Sequence, residues 1–389
     1  MWLRIAVLAL GTFAIGTDGF VVAGVLQEIA GELNVSITVA GQVVTVFAFV
    51  YALSSPLLAS MTSQRPRRRL LLMAMTVFIA GNLLAALATS YSGLLAGRVI
   101  AAMAAAAYTP SASVAATIIA GEQFRGRALA MVLGGITVAT IIGVPLGTWL
   151  SEFGGFRAAF WLVTGLGIVA FAGLALWLPD LPGSPAVSLR DRLDSLRLPG
   201  VPGALLVTML ATTAGFAVYT YIGPFLTATL NADVGTLGVL LMVFGVAGAL
   251  GNGMGGWLVD HWGAHRTIIL SLSVLSTILA VLPWFSATQA GAALGLFIWS
   301  MAGWLLSPAQ QHRLLTLVPP YAGPLLISLN ASALYLGIGS AGVLGGLIIQ
   351  AWGAWALTFV AACIGCMTLG FYVYSTRVKE PRILEAECD

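Results

Sequence analysis

The chain is 389 residues long, 59% hydrophobic and only 8% charged, with a mean hydropathy of +0.98 and a formal net charge of +3. A soluble domain of this size needs a far more charged surface, so composition excludes one. It points instead to an integral membrane protein, because apolar runs of about 20 residues, enough to cross a hydrocarbon core of ~30 Å, recur from end to end.

Twelve spans are predicted, over 4–26, 38–60, 69–88, 93–119, 127–150, 157–178, 203–228, 235–258, 266–285, 290–314, 323–349 and 354–376. The start, Met1-Trp2-Leu3-Arg4 before an apolar run, has the look of a secretion signal. The run is too long for one, contains Asp18, and has no small-residue cleavage site after it, so it is read as the first transmembrane helix. Midway along it stands Gly16-Thr17-Asp18-Gly19-Phe20. A carboxylate at that depth costs about 2.5–3.5 kcal/mol on insertion scales. It either holds helices together through a hydrogen bond or marks an ion or solute path. Only Asp18 and Arg98 are charged and far from a predicted membrane boundary, which favours the path. Arg98 lies about one turn into span four, so snorkelling to the nearer interface is the competing reading for it.

The basic residues sort by side. Arg4, Arg65 and Arg67 to Arg69, Arg125 and Arg127, Arg190, Arg192 and Arg197, Arg266, Arg313, Arg377, Lys379 and Arg382 fall on one face. Arg157 falls on the other, with Glu28, Glu32, Glu152 and Asp233. The positive-inside rule then places both termini in the cytoplasm, in agreement with an even number of spans. The longest connection, between spans six and seven, is rich in Pro, Gly, Ser and charge. It reads as a linker, with a short amphipathic surface helix expected over 189–198. The expected organisation is a bundle over 1–180, a cytoplasmic linker over 181–202, a second bundle over 203–376 and a cytoplasmic tail over 377–389.

The two bundles read as repeats. Ser60 to Arg69 matches Gly256 to His265 at an offset of 196. Tyr108-Thr109-Pro110-Ser111 matches Leu306-Ser307-Pro308-Ala309 at 198, and Gly143 to Gly147 matches Gly342 to Gly346 at 199. Transporters built from parallel repeats place the solute between the halves near the bilayer midplane. The fold class is therefore all-α integral membrane, with twelve transmembrane helices in two pseudo-symmetric six-helix bundles. Aromatic and amide residues inside the spans are the cavity candidates: Tyr51, Tyr108, Tyr219, Tyr221, Trp304, Gln310 and Asn330, with Trp299 and Tyr335 beside them. Each has packing or an interfacial belt as its alternative role. With few charges near, such a cavity suits neutral or modestly amphipathic solutes.

Four segments carry a family resemblance. Gly256-Trp257-Leu258-Val259-Asp260-His261-Trp262-Gly263-Ala264-His265-Arg266 resembles the loop motif of the major facilitator superfamily, Gly-x-x-x-Asp-Arg-x-Gly-Arg-Arg. Its first-half copy, with Arg65, Arg68 and Arg69, is degenerate: Ser60 and Gln64 replace its glycine and aspartate. Asp260 is expected to dock at a positive helix terminus. Gly134 and Gly135 through Gly143-Val144-Pro145-Leu146-Gly147 resemble the superfamily's antiporter motif, whose glycines and proline form a smooth, bent face suited to rocking and accompany export in the family. Gly97-Arg98 followed by small residues resembles the span-four motif implicated there in proton transfer. Thr12 to Leu33 is similar to the first helix of the twelve-span drug:proton antiporter branch, above all the sugar, purine-nucleoside and chloramphenicol exporters. Here the acidic residue is shifted by one, with Gly19 where a glutamate usually stands.

The resemblance implies a secondary active transporter, not an enzyme. It would export a small, mostly neutral solute (drug, sugar or nucleoside) across a bacterial inner membrane, with Asp18 and Arg98 coupling the protons. The expected partners are lipid, solute and protons, not nucleic acid, and the chain is expected to be a monomer without cofactor. Proton-independent facilitation or uptake is the rival transport reading, and a non-transporting receptor or scaffold the rival class. Three literal matches are set aside. Cys363 and Cys366 lie within the last span and read as packing, and His261 and His265 have no third metal ligand nearby. Gly337-x-Gly339-x-x-Gly342 sits inside an apolar span, not between a strand and a helix. No Walker-type lysine motif occurs either, since Lys379 is the sole lysine.

Overall fold

The computed structural model describes residues 1–183, 194–318 and 323–377, and among them it has helices and no strand. The helices are α1 (Trp2–Val21), α2 (Leu26–Glu32), α3 (Ile37–Thr62), α4 (Arg67–Ala86), α5 (Tyr91–Val138), α6 (Val144–Trp177), α7 (Val201–Thr220), α8 (Ile222–Leu230), α9 (Val234–Trp262), α10 (Ala264–Phe285), α11 (Gln289–Thr316), α12 (Gly323–Trp352) and α13 (Ala356–Arg377). A π turn, Ala139–Gly143, joins α5 to α6.

Ten segments are long and apolar enough to cross a membrane, and one of these, Tyr91–Trp177, is 87 residues long. A straight helix of that length would run about 130 Å. It is instead three passes. At Gly121 the backbone turns to φ +69°, a conformation that only glycine adopts freely. Before the turn, the Tyr108 hydroxyl donates to the Leu8 carbonyl at 3.2 Å; after it, the Thr12 hydroxyl donates to the Val132 carbonyl. Both sides of the turn therefore lie on the same stretch of α1, which requires the chain to reverse. A second break at Gly154 and Gly155, where φ is +62° at Gly155, folds Ala159 back beside Gly147. Counting that segment as three gives twelve passes among the described residues.

The repeat is written in the helix ends. Ser36 caps α3 by accepting from Val39 N, and Asp233 caps α9 by accepting from Thr236 N, 197 positions later. Ser90 and Thr288 cap α5 and α11 in the same way, 198 apart. Asn34 and Asn231 share the left-handed φ of 52°. Val25 and Tyr221, 196 apart, break their helices at nearly one geometry, φ −120° and −113°. The break at Tyr221 divides predicted span seven into a long helix and a short one, while that at Val25 falls at the end of predicted span one, with the short α2 beyond it. Serine, aspartate and threonine at such positions satisfy amides that lipid cannot.

Helices of the first 180 residues pack mainly on one another, as do those after residue 200. The two sets meet along α3 with α12 and along α6 with α9. Hydrogen bonds between them gather at one end: Gln27 to Thr227 at 3.2 Å, Thr38 to the Gly346 carbonyl at 3.1 Å, and Trp149 to the Gly235 carbonyl at 3.2 Å. Glu32 and Arg157 form an ion pair there, and Arg157 also donates to the Ala88 carbonyl at 2.8 Å. Large apolar side chains point outward, Leu176 being 73% exposed, as a lipid-facing surface requires. Of the surface helix expected over 189–198, only a short turn, Ser195–Arg197, falls among the described residues; 189–193 and the tail after 377 lie outside them.

Candidate functional site

Asp18 and Arg98, 80 positions apart in sequence, form an ion pair in which neither residue is exposed to solvent. The kinship of charge at depth that made both residues conspicuous is resolved by contact: α1 brings the carboxylate and α5 the guanidinium. Arg98 Nη2 also donates to the Asp18 carbonyl at 3.3 Å, and its guanidinium lies 4.2 Å from the Phe47 ring centre. A ring face attracts a cation electrostatically, so Phe47 helps hold a charge that has no water. Asn82 of α4 stands beside the carboxylate, its own Nδ2 bonded to the Phe78 carbonyl at 3.1 Å. Asp18 Oδ2, Arg98 Nε and Asn82 Oδ1 have no hydrogen-bond partner. Arg98 therefore does not snorkel; it is held at depth by its pair.

A chain of rings leads from this pair to the other half. Phe47 stacks near Tyr51 at 6.5 Å, and Tyr51 stacks on Tyr335 of α12 at 3.7 Å. Tyr51 was expected at a solute cavity; it lies instead in this stack between the halves. Tyr108 and Tyr221 also depart from that expectation. Tyr108 fills the space left by Gly11 and bonds Leu8, while Tyr221 lies over Gly41 and Gly345 and donates to the Gly342 carbonyl at 2.7 Å. Their hydroxyls found backbone acceptors, so both are packing residues.

The cavity itself lies mostly among α7, α9, α11 and α12, with about 840 Å³ of empty space counting its open mouth. Tyr219, Trp304, Gln310 and Asn330 line it, as does Trp299. The sequence reading missed Phe216 and Phe244, which complete the apolar wall, and Phe20, the one described lining residue from the first half. The rings form a continuous series: Phe20 to Phe216 at 5.9 Å, Phe216 to Tyr219 at 5.4 Å, Tyr219 to Phe244 at 5.0 Å and Phe244 to Trp299 at 4.9 Å. Nothing but position marks a cavity phenylalanine off from a lipid-facing one, so no sequence signal could have found them. The polar side is Thr208, Gln310 and Asn330. Gln310 Nε2 donates to the Ala204 carbonyl at 3.0 Å and to Thr208 Oγ1 at 3.2 Å, and Thr208 donates to Asn330 Oδ1 at 2.7 Å. Among the described residues no Asp, Glu, Lys, Arg or His lines the cavity.

The glycine series of span five packs elsewhere than expected. A Cβ at Gly135 would collide with Ala9 and Thr12, one at Gly143 with Thr17, and one at Gly147 with Val21, all on α1 of the same half; Pro145 is buried at the start of α6. The close approach between halves at this level comes from α9, where Gly245 meets the Thr140 backbone and Gly238 the Trp149 ring. In the loop motif, Gly263 turns at φ +82° between α9 and α10. Gly256 faces open space, and Asp260 and Arg266 are exposed with no ion pair to a described residue. In the first-half copy, Arg68 bonds the Ala175 carbonyl at 2.7 Å and lies 3.6 Å from Asp180, while Arg65 and Arg69 are exposed.

Comparison with known proteins agrees with this architecture. The family model described as Major Facilitator Superfamily matches residues 8–337 and 204–387. The chain is 32% identical over 359 residues to the uncharacterized MFS-type transporter YbcL of Bacillus subtilis, covering 92% of each chain. It is 31% identical over 374 residues to the inner membrane transport protein YdhP of Escherichia coli K12, covering 96% of each. Its fold matches the crystal structure of a bacterial homolog of the human lysosomal transporter Spinster, with a TM-score of 0.77 at 18% identity over 96% of each chain. The chain belongs to the major facilitator superfamily. It is a multi-pass membrane transporter and not an enzyme.

Proposed function

We propose that this major facilitator superfamily chain works by proton antiport, exporting a small, mostly neutral organic solute across a bacterial inner membrane. It acts as a monomer, with both termini cytoplasmic and with its bundles spanning 1–180 and 203–376. The reading rests on the buried Asp18–Arg98 pair in one half facing an uncharged aromatic cavity in the other. A carboxylate held by a single cation, with one oxygen unpartnered, is the one described acid at depth that can exchange a proton. Protonation of Asp18 removes half of the pair and leaves Arg98 to Phe47, the first ring of the series that ends on Tyr335 in the opposite half. In this way the charge state of α1 bears on the contact between α3 and α12. A ligand shifts such an equilibrium only by its differential affinity for the two states. Solute bound among Tyr219, Phe244 and Trp299 supplies that difference from the other side.

The test uses everted membrane vesicles with an acidic interior and a pH-sensitive dye. Chloramphenicol, arabinose, purine nucleosides and cationic dyes are added in turn. Proton release evoked by a solute, and lost in Asp18→Asn, is the expected result. Solute counterflow that proceeds without any proton movement assigns the chain to facilitation instead, whereas an Asp18→Asn protein that retains wild-type dependence on ΔpH leaves antiport standing and removes Asp18 as the proton carrier.

A further inference from the structure

The buried side-chain oxygen of Gln310 has no hydrogen-bond partner at the wall of the aromatic cavity. Gln310 is 1% exposed, so water does not satisfy it from the surface. Which of its two amide atoms is the orphan follows from its neighbours. The other atom faces the Ala204 carbonyl at 3.0 Å, and a carbonyl can only accept, so that atom is the NH2 group. The orphan is therefore the acceptor. Thr208 does not fill the need, because its one hydroxyl hydrogen is committed to Asn330 Oδ1. A buried polar atom without a partner is costly, and at a cavity wall its natural complement is a ligand donor.

The rest of the cavity restricts that ligand further. Tyr219, Phe244 and Trp299 form adjoining ring faces and edges, with centroids 4.9 to 5.0 Å apart, and favour a planar ring. With no acidic or basic side chain among the described lining residues, an ionised ligand would enter without a counter-charge. From the proposed solute site we infer that the substrate class is an uncharged, ring-bearing molecule whose N–H or O–H donates to Gln310 Oε1. This rests on the cavity being the solute site and does not depend on proton coupling.

Binding to the full chain in lipid nanodiscs, measured without a gradient, tests it. The probes are 2-naphthamide with N,N-dimethyl-2-naphthamide, 2-naphthol with 2-methoxynaphthalene, and the cation 2-naphthyltrimethylammonium. Empty nanodiscs correct each for partition into lipid. The donor-bearing member of each neutral pair is expected to bind about tenfold more tightly than its methylated twin, the size of one hydrogen bond to a buried acceptor. Gln310→Met, of similar volume and without the acceptor, is expected to bring the twins to within about twofold. Equal binding of the twins by the wild-type protein overturns the donor assignment whatever the variant does. Preferential binding of the cation overturns the uncharged class, since exposed ring faces alone can hold an ammonium group. Because binding needs no gradient, failure here is separate from failure of antiport, which the vesicle assay reads.

Discussion

The two halves of this molecule share a plan and differ in what they bury. The first half buries Asp18, Arg98 and Asn82 together. At the offset of 198 that relates Pro110 to Pro308, the position matching Arg98 is Leu296, fully buried in an apolar cluster. The second half instead spends its interior on a cavity walled by rings and neutral amides. Duplicated helices, capped and broken at matching residues, thus carry different chemistry. A charge at depth must be paired and kept dry, whereas a solute site must stay open, and one bundle meets both demands with difficulty.

Removing one member of the pair breaks the contrast most severely. Asp18→Asn leaves a guanidinium buried without its counter-charge, and the expected loss of stability is about 3–5 kcal/mol. Thermal unfolding in detergent reads this. Replacing both residues, as in Asp18→Leu with Arg98→Leu, is expected to recover most of the stability while proton release stays absent. A double variant as unstable as the single would mean that the pair contributes packing and little electrostatics.

A change in the other half should separate the functions. Tyr219→Leu keeps an apolar side chain but removes a ring that touches Phe20, Phe216 and Phe244. Solute affinity is expected to fall about tenfold, in line with ring–ring contacts of ~0.5–1.5 kcal/mol. The number of protons released per solute moved should not change. If it does, cavity and pair are not separate sites.

The smallest effect sharpens the comparison from outside the spans. Glu28, in the short helix beside the Gln27–Thr227 contact, is partly buried, which pushes its carboxyl above the ordinary range; the nearby Glu32 charge pushes the same way. The folded state then binds more protons than the unfolded one between the two pKa values, so stability falls as pH rises through that interval. Melting temperature against pH should show this shallow slope in the wild type and lose it in Glu28→Gln. Proton release per solute should be equal in both, because Glu28 lies beside the Gln27–Thr227 contact and not in the pair.

Much was legible in the sequence for reasons that lipid imposes. Without water, each backbone amide must be satisfied inside its own segment, so hydropathy located the passes and charge located the loops. The sequence also singled out Asp18 and Arg98, since a charge at depth is rare enough to be conspicuous alone. The tyrosines were not legible in this way. Tyr108, Tyr219 and Tyr221 look alike in a hydrophobic run, yet two bond backbone carbonyls and one lines the cavity. The glycines of span five were recognisable as a close-packing face, but whether that face met its own half or the other was not.

What the sequence determined by itself was the number of passes, their repeat and the residues too polar to be idle, because each follows from the cost of placing one group in a hydrocarbon. Tertiary structure alone decided that Asp18 meets Arg98 across 80 residues, that α9 and not span five brings glycines to the Thr140 backbone and the Trp149 ring, and that an amide oxygen of Gln310 is left without a donor. Those are pairings, and a pairing depends on where two helices come to rest against each other, which no single segment encodes.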